Sequence, residues 1–242
     1  VTTQPSKGTL TLSGSSVDED QSISRSDIVD GKLTFTPAAN ANGAGYDSFK
    51  FTVNDGVADS SASSTMTIDV TAVNDLPTAS DKTVTATEDT AFVFALADFG
   101  FSDVETGQLQ SITVTTLSST GTLALNGSAV TSGQVISQSN ISAGLLTFTP
   151  LTNANGSGYD SFKFTVNDGT ADSSASSTMT IDVTAVNDLP TASDKTVTAT
   201  EDTAFVFALA DFGFSDVETG QLQSITVTTL SSTGTLALNG SA

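Results

Sequence analysis

The chain repeats itself with a period of 113 residues. Sliding the sequence by that distance places the stretch TAVNDLP at residues 71–77 onto the same letters at residues 184–190. Every residue of 58–129 recurs in 171–242, whereas the earlier parts of the two copies differ at scattered positions. A period this long exceeds the roughly 20–50 residues of solenoids and propellers. Each repeat is therefore predicted to be a domain with a core of its own.

The register of the repeat predicts the domain organisation. Val1 corresponds to Val114 and Ala242 to Ala129, so both ends of the sequence fall inside a repeat. We expect residues 1–71 to be the C-terminal part of one repeat, residues 72–184 a complete repeat, and residues 185–242 the N-terminal part of the next. This arrangement indicates a window on a longer tandem array. A second hypothesis is that neighbouring chains complete each other, because residues 1–71 lack the strands that residues 185–242 supply.

Hydrophobic residues in the complete repeat alternate with polar ones, which is the period of a β-strand and not of a helix. The stretches SITVT, LLTFTP, DSFKFTVNDG and STMTIDV all show this alternation. Together with TVTAT, AFVFAL and TLALNG they make about seven or eight short strands separated by turn signals. This pattern predicts an all-β fold, an antiparallel β-sandwich of about 100 residues for each repeat. No amphipathic helix is predicted.

Composition excludes several classes of function. The chain has no Cys and no His, so disulfides, zinc sites with sulfur or imidazole ligands, and Ser-His or Cys-His catalysis are impossible. With 27 acidic against 7 basic residues, its net charge is −20. Such a surface repels nucleic acid and anionic membranes, and it suits high ionic strength or the recruitment of cations. No apolar run is long enough to cross a bilayer, so we expect no nucleic-acid partner and no membrane insertion by this segment.

Three stretches together resemble a bacterial cadherin-like domain, the repeat unit of large repetitive surface adhesins. STMTIDVTAVNDLP resembles its last strand and linker, GLLTFTP with GYDSFKFTVNDG the preceding strands, and TATEDTAFVFAL with FSDVETG the opening of the domain. The resemblance implies tandem Ig/cadherin-like β-sandwiches at a bacterial surface or outside the cell. It implies a structural extender and not an enzyme, with neighbouring repeats of the same chain as partners. Homo-assembly into filaments is a further hypothesis, and the distal ligand stays unknown.

The resemblance also implies calcium ions at the domain junctions. At the first junction the implied ligands are Asn74, Asp75, Asp103, Glu105 and Asp168. At the second they are Asn187, Asp188, Asp216 and Glu218, with Glu88 and Asp160 from the preceding repeat. Ca²⁺ takes about six to eight oxygen ligands, which carboxylates, Asn side chains and backbone carbonyls supply. The family's acid-rich Asp-Arg-Glu motif is replaced here by PLTNANGSGYD, which leaves fewer acids below each junction and the number of ions open.

Simpler interpretations of the same residues stay open. Asn-Asp before Leu-Pro is a good linker by itself, because Pro77 holds Leu76 extended. Asp55 and Asp168 lie in Asn-Asp-Gly turns, which hairpin formation alone explains. The alternative function is a ligand-binding module for a glycan or a protein, which the absence of Trp and the presence of two Tyr disfavour. An enzyme would have to use paired carboxylates, and the candidate acids lie at domain ends.

Overall fold

A computed structural model describes residues 1–105, 107–218 and 220–239. We call residues 1–71 the leading segment, residues 72–184 the complete unit and residues 185–239 the trailing segment. The leading segment contains β1 (Gly8–Leu12), β2 (Ser15–Ser16), α1 (Arg25–Val29), β3 (Leu33–Pro37), β4 (Gly43–Phe51) and β5 (Ser64–Val70). These strands form two small sheets, one of order β2-β1-β3 and one in which β4 pairs with β5.

The complete unit holds most of the regular structure. Its elements are β6 (Thr78–Ala79), β7 (Lys82–Thr87), β8 (Phe92–Val93), β9 (Phe101–Ser102), β10 (Ser111–Thr116), β11 (Thr122–Leu125), β12 (Ser128–Ala129), β13 (Val135–Ser137), α2 (Gln138–Ser142), β14 (Leu146–Thr149), β15 (Gly156–Asn167) and β16 (Ser177–Thr184). A five-stranded sheet has the order β13-β10-β15-β16-β7, and a four-stranded sheet has the order β12-β11-β14-β8. The predicted all-β class is confirmed.

Hydrophobic and polar residues alternate along the strands, so each sheet has one hydrophobic face. The hydrophobic faces of the two sheets pack against each other. Phe162, Phe164 and Val166 of β15 are almost completely buried, and so are Met179 and Ile181 of the neighbouring β16. They join buried side chains of the four-stranded sheet in a single hydrophobic cluster. Full burial of such a side chain contributes about 1.5–3 kcal/mol, so this core is what stabilises the unit.

The first and last strands of the five-stranded sheet, in chain order β7 and β16, lie side by side. β16 pairs with β7 in parallel through six residue pairs, from Met179↔Lys82 to Thr184↔Thr87. All other strand pairs in the described ranges are antiparallel, as the sequence predicts. Because parallel neighbours run in the same direction, the chain enters the unit at one end and leaves it at the opposite end.

The trailing segment shows how far the fold depends on strand partners. The elements in its described residues are β17 (Thr191–Ala192), β18 (Phe214–Ser215) and a 3-10 turn at Leu209–Phe212. Residues 195–200 repeat the sequence of β7 but form no strand in it, because nothing equivalent to β16 lies beside them. The stretch AFVFAL, predicted as a strand, is one only at Phe92–Val93, and a 3-10 turn at Leu96–Phe99 follows.

Candidate metal centre at the domain junctions

The linker between the leading segment and the complete unit is held by polar contacts with the complete unit. The Asp75 N–H donates to Glu105 Oε1 at 3.1 Å. Asn74 Nδ2 donates to the Asp75 carbonyl at 2.7 Å and to Asp168 Oδ2 at 3.0 Å. Two linker residues thus contact acids of the complete unit. Asp75 contacts Glu105, 30 positions later in the sequence, and Asn74 contacts Asp168, 94 positions later.

Asp103 and Glu105 both belong to the loop that follows β9. The Glu105 N–H donates to Asp103 Oδ1 at 2.8 Å, which closes a local turn, and the two carboxyls are close enough for Asp103 to raise the pKa of Glu105. Asp103 Oδ2 and Glu105 Oε2 are completely buried and have no hydrogen-bond partner. A buried polar atom without a partner costs about 1–3 kcal/mol. Such an oxygen is therefore ready to accept a proton or a cation.

The pKa of Glu105 reflects this crowding. Burial raises it, the N–H of Asp75 opposes that rise, and the neighbouring carboxyls of Asp103 and Asp75 raise it further, so the net pKa lies above the ordinary value. Like charges held together without a counter-ion favour the neutral form. A positive charge among these carboxylates would instead favour the charged form of Glu105.

The second junction repeats this geometry with the next set of residues. The Asp188 N–H donates to Glu218 Oε1 at 2.9 Å, and the Glu218 N–H donates to Asp216 Oδ1 at 2.9 Å. Asn187 Nδ2 donates to the Asp188 carbonyl at 2.7 Å. Asp188 Oδ2 and Glu218 Oε2 are buried without a partner. The pKa of Glu218 is lowered by the Asp188 N–H, but burial and the Asp216 and Asp188 carboxyls outweigh that contact and raise it overall.

Glu88 contacts the outgoing linker of its own unit. Its side chain is 1% exposed, accepts from the Val186 N–H at 2.5 Å and accepts from Asn155 Nδ2 at 2.9 Å. These two donors lower its pKa against the effect of burial. The Glu88 N–H in turn donates to the Thr184 carbonyl at 3.0 Å. Glu88 therefore fixes the direction in which the chain leaves β16, and both of its oxygens already have donors.

Asp160 is held inside its own domain. Its carboxylate accepts from the N–H groups of Ser119, Thr120, Gly121 and Ser161 at 2.8–3.0 Å. Burial opposes ionisation, but these four donors outweigh it and lower the pKa of Asp160. The structure therefore gives Asp160 the role of an anchor for the loop between β10 and β11. It does not bring Asp160 into hydrogen-bond contact with the junction acids.

Asp47 anchors a loop in the leading segment in the same way. Its carboxylate accepts from the N–H groups of Ser6, Lys7, Gly8 and Ser48 at 2.7–2.9 Å. Burial is again outweighed, and the pKa of Asp47 falls to about 2. The anchoring role of these two Asp residues could not be predicted from the sequence, because their hydrogen-bond donors are backbone N–H groups.

A hollow of about 330 Å³ lies beside the first junction. Asp75 and Glu105 line it together with Asn40 and Asn42, which belong to the loop before β4. These two Asn residues are equivalent to Asn153 and Asn155 of the stretch PLTNANGSGYD, and they are not among the ligands predicted from the sequence. In the described ranges, no group of three or more Asp or Glu side chains has the spacing of a metal site. The possible metal ligands at each junction are thus a few carboxylates, supplemented by Asn side chains and backbone carbonyls.

Comparison with known families agrees with this architecture. A model of the bacterial Ig domain matches residues 74–184, and a model of the cadherin-like domain matches residues 3–71. The repeats are bacterial cadherin-like, Ig-like domains. Members of these families usually lie outside the cell and are typically not enzymes. No helix in the described part of the chain is long and apolar enough to span a membrane.

Two further similarities concern much longer proteins. The chain is 38% identical over 124 residues to the integrin beta-like protein E of Dictyostelium discoideum, a match that covers 50% of this chain and 6% of that protein. A solved structure of an endo-fucoidan hydrolase of glycoside hydrolase family 107 is 20% identical in sequence. The match covers 76% of this chain and 24% of the hydrolase chain. Its TM-score of 0.26 is too low to carry an argument. The repeats are therefore Ig-like modules of a type that usually lies outside the cell.

Proposed function

We propose that these cadherin-like repeats are extender modules of a large extracellular adhesin, stiffened by Ca²⁺ at their linkers to project a distal binding region. The observation that carries the proposal is the pair of buried, unpartnered carboxylate oxygens found at each linker. The residues present fit a hard cation, because the atoms left without partners are all oxygens of the type that Ca²⁺ prefers. Bound calcium would supply the positive charge that these oxygens lack.

The chain's own residues explain why such a joint responds to a cation. The linker acid Asp75 and the loop acids Asp103 and Glu105 are held together by backbone contacts, so their charges repel one another across the joint. Salt does little to screen charges this close together, because the screening length is about 8–10 Å at moderate salt and partly buried charges are screened less. Without a counter-ion the repulsion favours opening of the linker, and with one the linker is fixed against the next domain.

The side of the second linker that precedes Asn187 is already rigid. Glu88 ties the Val186 N–H to the end of β7, so the chain leaves β16 in a fixed direction before it reaches Asn187 and Asp188. Flexing is therefore confined to the few residues between this contact and the next domain. The proposed role of the cation is to remove that remaining freedom, which turns a string of domains into a rod.

Calcium titration by calorimetry tests the proposal. Glu105→Gln removes one charge from the first junction, and we expect its calcium affinity to fall roughly tenfold or more, since about 1.4 kcal/mol corresponds to a factor of ten. Glu19→Gln is the matched control, because Glu19 lies in an exposed turn of the leading segment. Small-angle scattering should show a shorter or more flexible particle in excess chelator. Absence of binding heat at millimolar calcium, or equal affinities for both variants, would contradict the proposal.

A further inference from the structure

The sequence Asn-Gly-Ser occurs twice in the complete unit, at residues 126–128 and 155–157. Glycine has no side chain to shield its backbone nitrogen, so in an Asn-Gly pair this nitrogen can attack the carbonyl carbon of the asparagine side chain. Ammonia leaves, a five-membered succinimide ring forms, and water opens the ring to aspartate or isoaspartate. Both copies carry the groups that this deamidation needs, and the structure places them in different surroundings.

The fold requires a glycine at position 156. Gly156 has a φ of 146°, a backbone conformation that residues with side chains rarely adopt. It begins β15, and the register of β15 with β16 shifts between Gly156 and Asp160, so the regular ladder starts only after this pair. Asn155 is exposed to solvent. The reactive pair is thus built into the fold, and water can reach it.

Glu88 holds the amide group of Asn155. Asn155 Nδ2 donates to Glu88 Oε2 at 2.9 Å, and the Glu88 side chain is 1% exposed. The other Glu88 oxygen accepts from the Val186 N–H at 2.5 Å. Attack by the Gly156 nitrogen requires the Asn155 side chain to turn towards its own main chain, and the contact with Glu88 opposes that rotation. The amide is therefore protected while Glu88 holds both Asn155 and the outgoing linker.

The product of deamidation cannot restore this contact. The reaction replaces an NH₂ donor by a second carboxylate oxygen, which can only accept. Two carboxylates would then face each other where Asn155 Nδ2 and Glu88 Oε2 now meet at 2.9 Å. Like charges held this close together repel, and burial of one of them strengthens the effect. Glu88 would therefore move away from this position and release the Val186 N–H.

We propose that Asn155 is a deamidation site gated by Glu88, and that its reaction makes a reversible opening of the outgoing linker permanent. Opening frees the amide, ring closure releases one ammonia, and hydrolysis consumes one water. The new carboxylate then prevents the linker from closing again. No cation takes part, so this inference goes beyond the calcium proposal and does not depend on it. Such a repeat would accumulate loosened joints as the protein ages.

Peptide mapping by mass spectrometry tests the gating, on the 242-residue polypeptide kept in mildly alkaline buffer with chelator. Asn126 is the internal reference, because it begins the same triplet but lies in the turn between β11 and β12, with a φ of 49°. Glu88→Ala should speed the loss of ammonia at Asn155 several-fold and leave the rate at Asn126 unchanged. In urea the wild-type chain should react at similar rates at both sites. The same slow rate at Asn155 in the folded wild type and in folded Glu88→Ala would overturn the proposal.

A variant that mimics the product tests the consequence. If Glu88→Ala speeds the reaction at both sites, it has unfolded the unit, and the comparison of Asn155→Asp with Asn126→Asp then decides. In urea unfolding with chelator, Asn155→Asp should unfold at a lower urea concentration than wild type, whereas Asn126→Asp should stay close to wild type. Equal midpoints for Asn155→Asp and wild type would overturn the proposal. Because chelator is present throughout, failure of the calcium proposal would not change these results.

Discussion

Replacing Asp160 by Asn removes one charge from the most heavily hydrogen-bonded carboxylate of the complete unit. The two oxygens accept from four backbone N–H groups, three of them consecutive in the loop between β10 and β11. Asn has one acceptor oxygen and one NH₂ group in place of the second oxygen. Whichever way the amide turns, donors that faced an oxygen would face another donor.

The expected cost follows from counting those donors. If the NH₂ group replaces Oδ2, the N–H groups of Thr120 and Gly121, now at 2.9 and 2.8 Å from that oxygen, lose their acceptor. Each buried donor left without a partner costs about 1–3 kcal/mol. The variant should therefore lose about 2–6 kcal/mol, a large share of the roughly 5–15 kcal/mol that stabilises an ordinary domain.

Urea unfolding followed by tyrosine fluorescence measures this loss. The chain has two Tyr residues and no Trp, so a Tyr46→Phe background leaves Tyr159, beside the mutated position, as the reporter of the complete unit. Asp172→Asn is the matched control, because Asp172 is exposed and its contact is with the Asn167 side chain. Its effect should stay within about 0.5 kcal/mol.

The pH dependence supplies a second readout. The folded pKa of Asp160 lies below its ordinary value of 3.8, so its stabilising contribution is present above that value and is lost as pH falls through the lower folded pKa. The gap between wild type and Asp160→Asn should therefore be constant near neutral pH and shrink in acid. A loss under about 1 kcal/mol, which is less than one unsatisfied buried donor costs, or a loss that depends on chelator, would refute the anchoring role.

The repeat supplies internal controls for two further predictions, both measured by the same unfolding assay. Phe94→Ala should cost about 3–5 kcal/mol, whereas Phe207→Ala should cost almost nothing, and equal losses would show that the two copies are equally folded. A Cβ at Gly121 would lie 2.3 Å from the Phe148 ring, whereas at Gly234 its nearest neighbour is a hydroxyl at 3.8 Å. Gly121→Ala should therefore destabilise by about 1–3 kcal/mol and Gly234→Ala should be neutral; a neutral Gly121→Ala would mean that the ring moves freely.

The strands of the complete unit could be predicted from the sequence because each buries one face. Alternation in DSFKFTVNDG and STMTIDV marks β15 and β16 correctly. Alternation does not show whether a partner is present, which is why residues 195–200 repeat β7 without forming a strand. It also does not show strand direction, so the parallel pairing of β7 with β16 could not be predicted. α1 and α2 have five residues each, too short for a helical period.

The junction residues could be selected only because they resemble a known family. Nothing in the spacing of Asp75 and Glu105 predicts that the N–H of one meets the carboxylate of the other. For Asp160 and Glu88 the acid itself could be identified, but its partners are mainly backbone N–H groups. These depend on where loops come together in the fold, so their roles required the structure.

The parallel pairing of β7 with β16 has a mechanical consequence. A pull applied to the two ends of the complete unit draws these neighbouring strands past each other along their length. Their six residue pairs then share the load, and they must break nearly together instead of opening one after another. The Glu88 contact with Val186 extends the loaded region beyond the end of the sheet. A tether built from such units would hold its length under flow until the force is high enough to shear a whole strand free.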